Sequence, residues 1–143
     1  MKIKSIGKSI IDLSYLLKRD MDQAIAGHGL TRMQAVILKF LDNESGKRDI
    51  FQKDIEKEFR IRKSSVTSVL QLLEKNGYIE RESMKEDARF KKIVLTEKAR
   101  QVNKMIGNGL EKREIRFQQV LTKDELVNFF QIMDKISGVV EES

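Results

Sequence analysis

Apolar residues recur along this chain at helical spacing, with one interruption of β-like pattern. Ile6, Ile10, Leu13, Leu17 and Met21 follow one another at steps of four, three, four and four. That spacing puts them on one face of an amphipathic helix. Its end is expected near Gly27-His28-Gly29, where two glycines permit positive φ. Thr31 followed by Gln34 forms a capping box, and Met33, Val36, Ile37, Phe40 and Leu41 supply the apolar face of a second helix. Asp42 to Gly46 reads as a loop. Phe51, Ile55 and Phe59, at spacing four, mark a short third helix.

Arg60-Ile61-Arg62-Lys63-Ser64-Ser65 leads into a fourth helix, capped at Ser64 or a close neighbour. Val66, Val69, Leu70 and Leu73 face inward, while Ser65, Thr67, Ser68 and Gln71 face outward. Asn76-Gly77 ends it, with Gly77 at the left-handed position. The period then changes. Tyr78 to Glu82 and the β-branched run Lys92 to Thr96 predict two strands of a hairpin, with the charged segment Lys85 to Arg89 as a long basic tip. Thr96 caps a long helix bearing Val102, Ile106, Leu110 and Phe117. Gly107 and Gly109 lie inside it and cost about 1 kcal/mol each relative to Ala. They either allow close helix approach or mark a break. Thr122 with Glu125 caps a last helix carrying Leu126, Phe129, Phe130, Met133 and Ile136.

The length, 143 residues, suits a single domain. No apolar run reaches 18 residues, so no membrane-spanning helix is expected. The N-terminal segment lacks a small-residue cleavage site and does not read as a signal peptide. Pro is absent, which points to a helix-rich fold. Cys is absent too, which removes disulfides, thiolate zinc sites, Fe–S clusters and Cys nucleophiles, and fits a cytoplasmic protein. His28 is the sole histidine and reads as a turn residue, so no metal site and no cofactor is expected. No acid–base pair, nucleophile motif or Gly-rich phosphate loop supports an enzyme.

The net charge is +6. Residues 47–92 hold 13 basic and 9 acidic residues, so most of the surplus falls on the short helices and the hairpin. Two helices joined by a tight turn, the second opening on small polar residues, suit a DNA reader. The major groove is about 12 Å wide and admits one helix, and Ser or Thr can bond base edges or phosphates. Arg62 and Lys63 precede that helix, where they can meet phosphates. Arg89, Lys91 and Lys92 cluster beside Asp87 on the hairpin tip, and an arginine there can enter a narrow minor groove. Each feature also has a plainer reading. Ser64, Ser65, Thr67 and Ser68 fit a capped, solvated helix start, and Arg89 fits a surface pair with Asp87 or Glu86. Leu13, Tyr15, Leu17 and Met33 could line a ligand cavity or fill an ordinary core. A basic helical module that binds protein instead of DNA stays open at this point.

In order, these segments resemble the MarR family of winged-helix transcriptional regulators. The resemblance rests on Leu30 to Gln34, Arg62 to Thr67, Leu73 to Arg81 and, above all, Asp87 to Thr96. It implies a mainly α (α+β) fold, a winged helix-turn-helix with a two-stranded β-wing flanked by long dimerisation helices. Residues 30–96 would form the DNA-binding lobe, and residues 5–26 and 97–140 the helical dimerisation region. The chain would then be a homodimeric repressor on a pseudo-palindromic operator of double-stranded DNA, open to release by a small-molecule effector. Ser64, Ser65, Thr67 and Ser68 on recognition helix 64–76 would face the major groove. Arg89 would enter the minor groove, oriented by Asp87, while Arg62, Lys63, Arg81 and Lys91 would contact phosphates. The sequence departs from the family's pattern at Glu56, where a small Ala is usual, at Phe51, where Thr is usual, and at Ala99, where Gly is common.

Overall fold

A computed structural model describes residues 4–87 and 89–143. The order of elements is α1 (Ile6–Ala26), α2 (Arg32–Glu44), α3 (Gln52–Phe59), α4 (Lys63–Lys75), β1 (Ile79–Ser83), β2 (Lys91–Leu95), α5 (Glu97–Gln119) and α6 (Lys123–Glu141). The strands pair antiparallel, from Ile79 opposite Leu95 to Ser83 opposite Lys91. This is a winged helix-turn-helix with a two-stranded wing. The residues fall into two compact units, Met1–Gly107 and Asn108–Ser143.

In the first unit the core is built where the inner faces of α2, α3, α4 and the wing meet. Ile37, Leu38, Ile55, Val66, Leu70, Leu73 and Ile79 are fully enclosed. The wing is bound to the helices by backbone as well as by side chains. The Ile93 amide donates to the Ile50 carbonyl at 2.8 Å, so the segment entering α3 flanks β2 as a short third edge. Asn103 on α5 is buried, and its Nδ2 donates to the Leu38 carbonyl of α2 at 3.0 Å. That bond satisfies an amide that burial would otherwise leave costly.

Several local expectations are confirmed in detail. The Thr31–Gln34 and Thr122–Glu125 capping boxes both form, each with reciprocal bonds. Gly77 has φ +79°, and the Thr96 hydroxyl accepts from the Ala99 amide at 3.3 Å at the start of α5. Others need correction. Of the two glycines after α1, Gly29 takes a positive φ of +78°, whereas Gly27 stays right-handed at −60°. Helix α2 continues through Asp42 to Glu44, and the loop turns at Gly46 with φ +79°. The inner face of α2 is Gln34, Ala35, Ile37, Leu38 and Leu41. Met33 is exposed, and Phe40 sits at the core's edge against Phe59, ring centroids 5.6 Å apart. Gly107 and Gly109 neither break α5 nor take positive φ.

In the second unit the Thr122 box starts α6, and Phe129 and Phe130 stack edge to face at 5.3 Å. No α6 residue is buried. In the first unit, α1 likewise leaves Ile6, Ile10, Ile11, Leu13, Leu16 and Leu17 exposed.

Candidate nucleic-acid interface

The turn between α3 and α4 sets the site's geometry. Arg60 ends α3 in the left-handed conformation, φ 53° and ψ 46°. The Ile61 amide then donates back to the Glu56 carbonyl at 3.2 Å, the bond that closes a Schellman turn. The chain reverses within three residues and α4 begins at Lys63.

Helix α4 was expected to be capped at Ser64 or a close neighbour, and neither Ser64 nor a neighbouring side chain caps it. Arg62 is its N-cap residue, with no side-chain cap bond and no acidic residue in the first turn. Ser64 and Ser65 lie one step further in, exposed on that turn. An uncapped helix start keeps its free amides and partial positive charge for an outside anion. Arg62 and Lys63 are exposed beside it.

Two of the expected reader hydroxyls are already engaged. Thr67 Oγ1 donates to the Lys63 carbonyl at 2.9 Å and accepts from Gln52 Nε2 at 2.8 Å. Its one remaining capacity is an acceptor lone pair. Ser68 Oγ donates to the Ser64 carbonyl at 3.1 Å, which leaves it free to accept but not to donate. Both side chains therefore present acceptors outward.

At the wing tip, Arg89 and Asp87 form a bidentate pair. Arg89 Nη2 lies 3.0 Å from Asp87 Oδ2, and Arg89 Nε lies 3.2 Å from Oδ1. The Arg89 backbone amide adds a third bond to Oδ1 at 3.0 Å. The guanidinium first, and the amide second, hold the Asp87 carboxyl below the ordinary aspartate range. The arginine side chain is 86% exposed, so it is oriented but still open to a ligand. Lys92 does not join this cluster. Its Nζ lies 3.7 Å from both Asp49 and Glu82, on the opposite side of the strand from Lys91.

A cleft of about 290 Å³ opens between α3, α4 and the wing. It brings together Lys63, Arg81, Arg89 and Lys91, four of the residues singled out in the sequence. Arg81 is the most enclosed of them. Its Nε is 3.8 Å from Glu74 Oε2 and is buried without a hydrogen-bond partner. The cleft also contains Phe51, Gln52, Lys53, Glu56 and Phe90, none of which the sequence reading placed at the site. One signal was present: Phe90 is a lone aromatic between charged residues at the hairpin tip. Of the four residues considered for a cavity near α1, Tyr15 borders an open groove, with Arg19, Asp22 and Arg32. Leu13, Leu17 and Met33 are exposed side chains outside it. Among the described residues, no group of three or more His, Cys, Asp or Glu is placed to hold a metal ion. No helix among them is long and apolar enough to cross a membrane.

Comparison with known proteins places this geometry. Residues 28–89 match the family model described as MarR family. No curated protein matches the chain at a significant level. Among solved structures, the chain is similar to MepR, a transcription regulator of the Staphylococcus aureus multidrug efflux pump MepA. That match has a TM-score of 0.86 at 20% identity and covers 96% of this chain and 99% of that one. A crystal structure of an S. aureus MepR–DNA complex matches with a TM-score of 0.75, also at 20% identity and with the same coverage. The transcription regulator MarR from Oenococcus oeni PSU-1 matches with a TM-score of 0.65 at 25% identity, over 94% of this chain and 99% of that one. Residues 28–89 thus match the MarR family model, and the chain has the fold of solved transcription regulators that include MepR and MarR.

Proposed function

We propose that this protein is a sequence-specific DNA-binding transcriptional regulator that acts as a homodimeric repressor. The observation that carries this reading is the cleft where Lys63, Arg81, Arg89 and Lys91 converge beside the uncapped start of α4. With Lys53, five basic residues line that cleft beside a helix N-terminus, which suits a phosphate backbone. Ser64, Ser65 and Ser68 on α4 are the major-groove residues, and Thr67 contributes beside them through the acceptor left to it. Arg62 joins the phosphate contacts. Arg89, steered by Asp87, enters the minor groove, where a narrow A·T tract concentrates negative potential. The solved MepR–DNA complex is support by likeness of fold.

Dimerisation follows from the apolar surface that the helices leave uncovered. Ile10, Leu13 and Leu17 on α1 are exposed, as are Phe129 and Phe130 on α6. Large apolar side chains left exposed along a helix support an interface on each of these two helices. A second copy covers it, residues 5–26 and 97–140 contribute the contacts, and two wings then reach half-sites about 10 bp apart. Release by a small-molecule effector completes the reading. The groove at Tyr15, with Arg19, Asp22 and Arg32, offers aromatic and charged groups together for that purpose. A cytoplasmic location belongs to the same reading.

The test is titration of the protein against its own upstream DNA and a scrambled duplex, by fluorescence anisotropy at several salt concentrations. Tight, sequence-dependent binding with a log–log salt slope of about −0.9 per phosphate contact is expected. Equal and weak binding to both duplexes at every salt concentration would sink the reading.

A further inference from the structure

The two strands of the wing are short, and their ladder ends at Ser83 opposite Lys91. A two-stranded hairpin alone is marginal in water. Beyond the ladder, nothing in the strand pairing fixes where the tip points. Arg89 lies in that unpaired tip.

Phe90 supplies what the ladder does not. Its backbone closes the turn from both sides: its amide donates to the Asp87 carbonyl at 3.2 Å, and its carbonyl accepts from the Met84 amide at 3.2 Å. Its ring meets Phe51 edge to face, centroids 6.4 Å apart and planes at 81°. Lys53 Nζ lies 5.7 Å from the same ring's centroid, within the range of a cation–π contact. Phe51 is a firm seat. It is the N-cap residue of α3, and its amide donates to Asp54 Oδ2 at 2.8 Å. The same ring pair therefore joins the wing tip to the N-cap of α3, the first helix of the helix-turn-helix. Phe51 also stands where the family pattern usually has Thr, which offers no ring to meet Phe90.

We propose that Phe90 is a positioning residue which, seated on Phe51 and flanked by Lys53, holds the wing tip against α3 and thereby presents Arg89 to DNA. The inference rests on the DNA-binding reading above and deepens it. A tip ordered before binding does not have to be ordered at binding, so the contact made by Arg89 keeps more of its free energy. A tip released from Phe51 samples many positions, and only a fraction of them place the guanidinium in the groove.

The chain has no Cys, so Lys85→Cys gives a single attachment point for a nitroxide on the exposed tip. The spin label's mobility is read in the free protein, and affinity for the operator duplex is read by anisotropy. Phe90→Ala and Phe51→Ala are expected to raise the label's mobility and to weaken operator binding about tenfold. Phe90→Tyr keeps the ring and is expected to restore both. In an Arg89→Ala background, Phe90→Ala should cause no further loss. Unchanged mobility in a Phe90→Ala protein that folds by circular dichroism would overturn the proposal. An equal and additive loss in the Arg89→Ala background would also overturn it, because Phe90 would then be a DNA contact in its own right. If the unmodified protein does not distinguish its operator from a scrambled duplex, the DNA-binding reading fails by itself. The mobility comparison then still decides whether Phe51 and Phe90 hold the wing.

Discussion

The Gln52 side-chain amide donates to the Thr67 hydroxyl at 2.8 Å, joining the first residue of α3 to the outer face of α4 across the helix-turn-helix. The same hydroxyl donates to the Lys63 carbonyl, so Thr67 links the two helices and the first turn of the recognition helix at one point. Gln52→Ala is expected to lower stability by about 1 kcal/mol, the usual value of a part-buried neutral hydrogen bond. Thr67→Val, which keeps the shape and loses both bonds, should show a similar loss. Urea unfolding followed by circular dichroism measures both. Their double mutant should lose less than the sum, and full additivity would mean that the bond has no energetic role.

Asn103 and Leu38 form the corresponding tie between α5 and α2. The amide is buried and bonds a backbone carbonyl 65 residues away. Asn103→Ala removes the donor and opens a small cavity, and a loss of about 1–3 kcal/mol is expected in thermal denaturation. Asn103→Asp should be worse near neutral pH, since it sets a carboxylate against a carbonyl oxygen in the core. A midpoint unchanged in both variants would remove Asn103 from the account of the fold.

Arg60 adopts positive φ without being glycine. The left-handed region costs an ordinary L-residue about 1–2 kcal/mol, partly offset in a Gly replacement by the greater entropy of its unfolded chain. Arg60→Gly is therefore expected to be neutral to stabilising by up to about 1 kcal/mol. Replacement by Val, whose branched side chain fits this conformation poorly, should destabilise. Opposite signs for the two variants in a single melting series are the result that matters here.

The Asp87–Arg89 pair carries a pH dependence with a definite sign. The Asp87 carboxyl is held below its ordinary range by the guanidinium and then by the Arg89 amide. A lowered folded-state value means that the pair's contribution is fully present above the ordinary aspartate range. It is lost as pH falls through the lowered value. Wild-type protein and Asp87→Asn should therefore differ in operator affinity throughout the neutral range and converge only in acid. Arg89→Ala is expected to weaken operator binding by about 1–3 kcal/mol at neutral pH. A wild-type affinity that tracked a group titrating near pH 6–7, with no difference from Asp87→Asn, would point to some group other than this carboxylate.

Phe130 on α6 and Leu13 on α1 are exposed apolar side chains. Phe130→Glu and Leu13→Asp place a charge on the surface proposed to pair with a second copy. Light scattering at micromolar concentration should show a dimer for the unmodified chain and a shift toward monomer for each variant. A monomeric unmodified chain would refute the proposed dimer, and with it the two-half-site operator.

Local order was readable from the sequence because local forces set it. The apolar spacing of α1 and α6, the Thr31–Gln34 and Thr122–Glu125 boxes, Gly77 at the end of α4 and the β-branched second strand all depend on residues within one or two turns of each other. The order of those segments carried the winged-helix resemblance too. Tertiary structure decided what depends on residues far apart in the chain. Core packing, not local spacing, put Leu38 inside α2 and left Met33 outside. Gln52 claimed the Thr67 hydroxyl from 15 positions away. Asp49 and Glu82 took Lys92 out of the wing-tip cluster. Phe90, an isolated aromatic in the sequence, acquired its meaning when the fold brought Phe51 beneath it. A hydrogen bond or ring contact is short-ranged, so it is set by distance in space, and only the folded chain determines which distant residues come within that reach.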